Sequence, residues 1–229
     1  MTDKFQKITE IVTKELNEAK DSAHDMDHIM RVYNLAMTIA KTEAPVDIDV
    51  LQAAVLLHDI GGAKEAADAS GKTDHAVVGA EMARPILEPL GFSDVQIKHI
   101  QACILSHRYR TDNKPATLEA KIVYDADKLE AIGAIGIARS FAWVGKYKAK
   151  IYKQVDSLEE YAKENLIDGK INGRIMDKSK HSIQINYETK DKFVLDNLCT
   201  ETARELGKER VVYFKSFLDR LEKEVKGEL

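Results

Sequence analysis

The sequence predicts an all-α protein. Apolar residues recur at spacings of three and four along most of the chain, which is the pattern of amphipathic helices. The 229 residues include only four prolines, and no stretch alternates β-branched residues for long enough to suggest a sheet. A bundle of helices is the architecture that these observations favour.

Three N-terminal helices have the clearest periodicity. Their apolar residues are Phe5, Ile8, Ile11, Val12 and Leu16 in the first, Ile29, Val32, Leu35, Ala36 and Ile39 in the second, and Val50, Leu51, Ala54, Val55 and Leu57 in the third. The third lies in "VDIDVLQAAVLLHDIGG", where an acidic cluster suits a helix N-terminus and Gly61-Gly62 supplies a stop. Further helices are predicted at about 74–90, 93–107, 116–129, 130–144, 157–166, 190–204 and 207–226.

The segment at about 145–190 differs from the rest of the chain. It combines the basic stretch "KYKAKIYKQ" with the polar, turn-rich stretch "IDGKINGRIMDKSKHS". We interpret it as an insertion or lid, and a plain surface loop with one short helix fits equally well. The predicted organisation is one helical domain over residues 1–229, with C-terminal helices that pack back on the core.

Composition excludes several classes of protein. Hydrophobic residues make up 44% and charged residues 31% of the chain, as in ordinary soluble domains, and a net charge of −4 gives no basic field for nucleic acid. Cys103 and Cys199 are far apart, which favours a reducing compartment over a disulfide framework. The N-terminus is charged, and no apolar run approaches the roughly 20 residues that span a bilayer. We therefore expect a cytoplasmic protein that binds neither nucleic acid nor membrane.

The histidines are concentrated in the first half of the chain. Of His24, His28, His58, His75, His99, His107 and His181, six fall between residues 24 and 107. A single histidine is usually structural, but several on successive helices, some beside carboxylates, favour a functional site.

The pair His58-Asp59 ends an apolar helix. Successive residues of a helix point about 100° apart, so the two side chains cannot share one face. A metal ion over the helix end would reach both, whereas in the alternative His58 caps carbonyl groups and Asp59 faces solvent. Burying an unpaired carboxylate costs several kcal/mol, roughly, so packing alone rarely places one there.

Two further motifs flank this pair in the sequence. In "HDMDHIMRV", His24 and His28 are four residues apart, but the aspartate at the second position and the absence of a third ligand exclude an HExxH zinc protease. In "IVYDADKLEAIGAIGIARS", Asp125 and Asp127 lie on an apolar helix. Asp127 can project from its packed side, or the two can form a solvated charge cluster.

Together, "H..RV", "LLHD" and "DADKL" resemble the HD-domain superfamily of metal-dependent phosphohydrolases, whose pattern is H…HD…D. "HDMDHIMRVYNLA", "AAVLLHDIGG", "SHRY" and "IVYDADKLEAIGAIGIARSFA" resemble a bacterial branch of small HD hydrolases active on nucleotides. The resemblance extends to residues 198–224 and is weakest near 145–180.

The resemblance implies a single divalent metal bound by His28, His58, Asp59 and Asp127. Two imidazoles and two carboxylates suit Mn²⁺, Fe²⁺, Co²⁺, Ni²⁺ or Mg²⁺ with water on the remaining positions, and Mn²⁺ is the first candidate. Water on the open positions of such a metal is the expected nucleophile.

Other residues are assigned to substrate and proton transfer. Lys128, beside Asp127, is the first candidate for a phosphate contact and a catalytic role, and Lys64 is a second candidate for binding substrate. Some HD proteins hold a second metal with two intervening histidines, here His75 and His107; we favour substrate contact or proton donation for both. His24 is a further candidate for proton donation or for support of the ligands.

The function that the resemblance implies is metal-dependent hydrolysis of a nucleotide phosphate ester. Cleavage of a nucleoside triphosphate to monophosphate and pyrophosphate comes first, and removal of a 5′-phosphate second. The alternatives are a cyclic-nucleotide phosphodiesterase and a non-catalytic, metal-dependent nucleotide sensor. A homodimer is compatible with the sequence.

Overall fold

A computed structural model describes residues 3–19, 25–43, 45–68, 70, 72–108, 113–171 and 173–229. Contacts divide the chain into an N-terminal unit, Met1–Asp127 with Cys199–Ala203, and a C-terminal unit, Lys128–Leu198 with Arg204–Leu229. The described residues contain helices, turns and two isolated β-bridges but no strand, so the predicted all-α class is confirmed. The single domain with a lid and packed-back C-terminal helices stays a prediction.

The N-terminal unit is built from helices that pack around α3. The helices are α1 (Asp3–Ala19), α2 (Met26–Ala40), α3 (Ile48–Leu57), α4 (Gly62–Ala67), α5 (His75–Leu87), α6 (Asp94–Ser106) and most of α7 (Leu118–Leu129). Helix α3 contacts α1, α2 and α6, and α5 packs along α6. Seven of the ten residues of α3 are buried, so the neighbouring helices cover most of its surface.

Side-chain caps determine where these helices begin. Asp25, Asp47 and Asp74 each accept a hydrogen bond from a backbone N–H in the first turn of α2, α3 and α5. Ser93 and Gln96 form a reciprocal capping box at the start of α6. The caps satisfy backbone donors that a helix leaves unpaired, and they fix the first residues of α2 and α5, where two of the predicted site histidines lie.

The C-terminal unit contains shorter helices and one long one. They are α8 (Gly133–Tyr147), α9 (Leu158–Asn165), α10 (Ile183–Thr189), α11 (Val194–Asn197) and most of α12 (Glu201–Lys226). Helix α10 contacts α8 and α9, and Tyr161, Ala162, Leu166 and Ile185 form a small apolar core. The segment interpreted as a lid or loop therefore carries α9, α10 and short 3₁₀ turns.

The predicted helix break near residue 205 is wrong. Instead of helices over 190–204 and 207–226, the structure has α10, α11 and a continuous α12 that runs through Gly207. A Cβ atom on Gly207 would lie 2.9 Å from a methyl group of Leu198 and 3.0 Å from one of Leu195. Glycine is therefore present for close packing, not to end the helix.

Among the described residues, no helix combines the length and the apolar character needed to cross a membrane.

Candidate metal centre

Histidines and aspartates from five helices of the N-terminal unit meet at one buried place. His28 lies in the first turn of α2, His58 follows α3, His75 begins α5, His107 follows α6 and Asp127 lies in α7. Asp59 lies between the imidazoles, with the Nε2 atoms of His28, His58, His75 and His107 at 3.4, 3.6, 3.1 and 3.5 Å from its oxygens.

The two oxygens of Asp59 face different pairs of imidazoles. Oδ2 faces His28 and His58, and Oδ1 faces His75 and His107. Burial alone would raise the pKa of Asp59, but electrostatic interaction with His58 and the contacts with the other three imidazoles hold that pKa well below its ordinary value. The carboxylate is therefore ionised although only 4% of the residue is exposed.

The end of α3 fixes the tautomer of His58. Its Nδ1 lies 2.7 Å from the carbonyl oxygen of Val55, and because a carbonyl only accepts, Nδ1 carries the hydrogen and Nε2 the lone pair. Burial lowers the pKa of His58 to about 4, so the ring is neutral. Among the described residues, this buried Nε2 has no hydrogen-bond partner. A neutral imidazole with a directed lone pair is the form that binds a metal ion.

His107 is held in the same way at the end of α6. Its Nδ1 donates to the carbonyl oxygen of Ile104 at 2.6 Å, which directs Nε2 towards the Nε2 of His75, 3.1 Å away. The rings of His58 and His107 meet edge to face with centroids 5.1 Å apart. Two packed helices thus present two histidines of the same tautomer to one carboxylate.

His28 and Asp127 complete the predicted set of metal ligands. His28 is fully buried, and its Nε2 lies 3.7 Å from Oδ1 of Asp127, whose side chain is 18% exposed. Ligand atoms of His28, His58 and Asp59 all lie within 4.8 Å of one another. The structure therefore brings together all four residues that the sequence predicted as ligands.

A second group of possible ligands shares Asp59. One ligand atom each from Asp59, His75 and His107 lies within 4.8 Å of the others. Nδ1 of His75 is 2.6 Å from Oε2 of Glu65, and Arg108 is 2.7 Å from the other oxygen of the same carboxylate. Hydrogen bonding through Glu65 therefore orients His75 towards Asp59.

The charges around His75 are strongly coupled. Burial would lower the pKa of His75, but hydrogen bonds to Asp59 and Glu65 raise it to about 9. For Glu65, burial would raise the pKa, but His75 and Arg108 lower it to about 2. The two carboxylates therefore favour the protonated form of His75, and His75 and Arg108 favour the ionised form of Glu65.

The donor atoms suit a divalent cation. The lone pairs of His58 and His107 point towards an ionised carboxylate, an arrangement that is repulsive unless a proton or cation lies between them. Nitrogen and oxygen donors without thiolate are the set that Mn²⁺, Fe²⁺, Co²⁺ and Ni²⁺ accept. The predicted divalent metal thus has a group of residues that can hold it.

Gly61 allows α5 to approach the turn that carries Asp59. A Cβ atom on Gly61 would lie 2.3 Å from the carbonyl oxygen of His75 and 2.9 Å from the backbone nitrogen of Gly79. The sequence was interpreted as placing a helix stop here. In the structure Gly61 also makes room for the first turn of α5, which carries His75.

The other candidate residues differ in how far they are buried. Lys64 is exposed on α4, and Lys128 is half-buried in the last turn of α7. His24 lies outside the described residues. Asp125 is fully buried and accepts hydrogen bonds from the backbone nitrogens of Cys199 and Thr200 and from the Thr200 hydroxyl, so the solvated charge cluster is wrong for this residue.

Sequence reasoning missed Glu65 and Arg108. Arg108 follows His107 within "SHRY", and Glu65 follows Lys64, yet the two lie 43 residues apart and meet only through folding. The one available signal was an arginine directly beside a site histidine.

The HD domain family matches residues 26–132, the segment that carries His28, Asp59, His75, His107 and Asp127. The chain belongs to the HD-domain family. The class of protein expected from the sequence, an HD-superfamily hydrolase with metal-dependent phosphohydrolase chemistry, is confirmed.

Relatives of known structure span nearly the whole chain. The YpgQ protein of Bacillus subtilis is 29% identical over 215 residues, which cover 91% of this chain and 87% of YpgQ. Its crystal structure in complex with ADP aligns with a TM-score of 0.66 and 26% identity, covering 96% of this chain and 98% of that one. An HD-superfamily hydrolase from Bacillus thuringiensis aligns with a TM-score of 0.65 and 25% identity, covering 97% and 98%.

Proposed function

We propose that this HD-domain protein hydrolyses nucleotides at the Asp59 centre, with a divalent metal bound by His28, His58, Asp59 and Asp127. The observation that carries the proposal is the ionised, buried Asp59 among four imidazole nitrogens. We take Mn²⁺ as the first candidate for the metal, and the donor set also accepts Fe²⁺, Co²⁺, Ni²⁺ or Mg²⁺. The ADP in the crystal structure of YpgQ supports a nucleotide as the substrate class.

The residues around Asp59 have different roles in the proposed reaction. A bound divalent metal would lower the pKa of a water molecule and polarise a phosphoryl oxygen. The bond from His58 to Val55 and the burial of His28 keep two ligand nitrogens in place, so little reorganisation accompanies catalysis. We assign His75 and His107 to phosphate contact and proton donation. His75 is the protonated ring, and the lone pair on Nε2 of His107 lies 3.1 Å from Nε2 of His75, from which it can receive the proton.

A second metal is the alternative role for His75 and His107. Their group with Asp59 satisfies the same distances as the first group, and the two oxygens of Asp59 face one group each. Asp59, His75 and His107 would hold this second ion, which would help to neutralise the charge of the phosphate group. Metal analysis of the purified protein separates the two assignments, with one ion per chain for the first and two for the second.

The preferred reaction is cleavage of a nucleoside triphosphate to monophosphate and pyrophosphate, followed by 5′-phosphate removal. We assign Lys128 to phosphate binding and catalysis, Lys64 to phosphate binding and His24 to proton donation. Cyclic-nucleotide hydrolysis and nucleotide sensing without turnover are the competing functions. Homodimer formation and the absence of nucleic-acid binding remain predictions.

The test is a product assay with Mn²⁺ and a panel of nucleoside mono-, di- and triphosphates and cyclic nucleotides. We expect wild type to release pyrophosphate from a triphosphate, and a chelator or Asp127→Ala to abolish the release. Turnover of cyclic nucleotides alone would replace the proposal with a phosphodiesterase. Metal-dependent binding with no turnover of any compound would replace it with a sensor.

A further inference from the structure

The C-terminal unit contains a cavity that the HD chemistry does not use. Its volume is about 670 Å³, and its walls come from residues 154–159, Ile171, α10 and α12. Every lining residue belongs to the C-terminal unit, whereas the Asp59 centre belongs to the N-terminal unit. The space is large enough for an organic ligand.

Gln184 lies in the wall of this cavity with its amide unsatisfied. The residue is only 7% exposed, and among the described residues neither Nε2 nor Oε1 has a hydrogen-bond partner. Buried polar groups are normally paired, so such an amide indicates a missing partner. The terminal torsion of glutamine is broad, which allows the amide to turn towards a ligand at small cost.

The cavity is negatively charged. Its lining includes five carboxylates and one ammonium group, namely Asp156, Glu159, Glu188, Asp219, Glu222 and Lys215. Glu188 is paired with Lys192 at 3.0 Å and Glu222 with Lys226 at 2.5 Å. Within the described part of the chain, the other three carboxylates form no ion pair. A phosphate group entering this space would meet a repulsive potential.

Tyr187 gives the cavity a flat aromatic wall, and the pKa of its hydroxyl group is affected by the carboxylates nearby. Its ring stacks on Phe214 with centroids 5.6 Å apart and planes 17° apart. Burial raises the pKa of Tyr187, and Glu188, Asp191 and Asp219 raise it further. The aliphatic side chains of Val155, Leu158 and Leu218 line the same space. Such walls suit a planar ring.

We propose that this cavity is a second small-molecule site, for an unphosphorylated nucleobase or nucleoside that pairs with the amide of Gln184. A primary amide needs both an acceptor and a donor on its ligand, and a nucleobase edge offers the two side by side. A polyamine offers only donors and would leave Nε2 of Gln184 unsatisfied. The carboxylates favour bases with an exocyclic amino group, because such a group donates to Asp or Glu. Adenosine, guanosine and cytidine are therefore preferred over uridine.

Calorimetric titration of the full chain in the presence of a chelator tests the site. Adenosine, guanosine, cytidine and uridine are compared with adenosine 5′-monophosphate and spermidine. We expect an amino-bearing nucleoside to bind once per chain and at least about tenfold more tightly than its monophosphate. A tenfold difference in affinity is the effect expected when one charge or hydrogen bond of the ligand is poorly matched.

Gln184→Met and Gln154→Met form the matched pair of variants. Methionine has the length of glutamine but no amide, so Gln184→Met is expected to weaken nucleoside binding at least about tenfold. Gln154 also lines the cavity, but its amide already donates to Glu222 at 3.1 Å, and its substitution is expected to change affinity by less than about threefold. Loss of the unsatisfied amide is expected to raise the unfolding midpoint of Gln184→Met by about 2–4 °C.

Three results overturn the proposal. The first is that no amino-bearing nucleoside shows saturable binding. The second is that the monophosphate or spermidine binds as tightly as the nucleoside. The third is that Gln184→Met leaves nucleoside binding unchanged, which would place the ligand elsewhere in the protein. If Gln184→Met does not fold, Gln184→Glu replaces it. That variant removes the donors and adds a negative charge, so retained nucleoside affinity in Gln184→Glu would equally contradict the proposal.

Discussion

His58 and His107 are oriented by the same hydrogen bond, from Nδ1 to the carbonyl oxygen of the residue three positions earlier, at 2.7 and 2.6 Å. Each histidine directly follows a helix, so a carbonyl group of the last turn is available to accept this bond. At both positions the end of the helix therefore also determines the tautomer of the histidine that follows it. The two rings meet at Asp59 because α3 packs against α6.

The two aspartates of α7 are predicted to have different roles, with Asp127 needed for metal binding and Asp125 for the stability of the fold. Asp127→Asn should weaken Mn²⁺ binding at least about tenfold, because an amide lacks the charge of a ligand carboxylate. Asp125→Asn should lower the free energy of unfolding by about 1–3 kcal/mol, because Cys199 and Thr200 lose a charged acceptor. Titration with Mn²⁺ and urea denaturation of both variants in chelator measure the two effects. The reverse pattern would refute both assignments.

Neighbouring glycines are predicted to respond oppositely to alanine. Gly61→Ala places a methyl group 2.3 Å from the His75 carbonyl oxygen and should destabilise the protein by about 1–3 kcal/mol, with reduced activity because α5 carries His75. Gly62→Ala meets nothing within 4 Å and should stabilise α4 by up to about 1 kcal/mol. Thermal unfolding and a product assay compare the two. Equal destabilisation would argue against the close approach at Gly61.

Asp191 is predicted to make stability depend on pH. Burial raises the pKa of Asp191 to about 6, although Lys190 and a hydrogen bond from Asn186 oppose the rise. The folded protein therefore binds more protons than the unfolded chain between about pH 4 and pH 6, and the contribution of Asp191 to stability falls as the pH rises through this window. A rise of the pKa of Asp191 to about 6 corresponds to a change in the free energy of unfolding of roughly 2–3 kcal/mol across this window.

Asp191→Asn removes this dependence. The variant should be more stable than wild type at pH 7.5 and should show a flatter profile between pH 4 and pH 6. Urea denaturation at both ends of the window measures the difference. Lower stability of the variant at pH 7.5 would mean that the ionised carboxylate is favourable in the folded protein.

Glu65 is predicted to act through His75. Glu65→Gln weakens the hydrogen bond to Nδ1 of His75 and the ion pair with Arg108, and should lower activity about 10- to 100-fold. Metal binding by His28, His58 and Asp59 should persist, since Glu65 contacts none of them. Glu81→Gln, at an exposed position of α5, is the control and should retain activity. Full activity of Glu65→Gln would assign that carboxylate to structure alone.

The sequence predicted those parts of the molecule that depend on order and local spacing. Periodicity located α1, α2 and α3, and the pattern of His28, His58-Asp59 and Asp127 located the centre. The pairing of Glu65 with Arg108 escaped prediction because it joins segments 43 residues apart. Gly61 was interpreted as a helix stop through local backbone preference, whereas the close approach of α5 also decides its role. The unsatisfied amide of Gln184 depends on what surrounds it, which no local pattern records.

Asp125 ties the HD segment to a distant part of the chain. The family match ends at residue 132, yet this buried carboxylate finds its hydrogen-bond donors at Cys199 and Thr200, 74 and 75 residues later. On a ribosome, the helix that carries Asp127 would be synthesised long before those donors emerge. Until then the carboxylate lacks its partners, so this helix completes its packing only after residues 199 and 200 have emerged. A fragment that stops at residue 132 would contain every HD residue and still lack these donors.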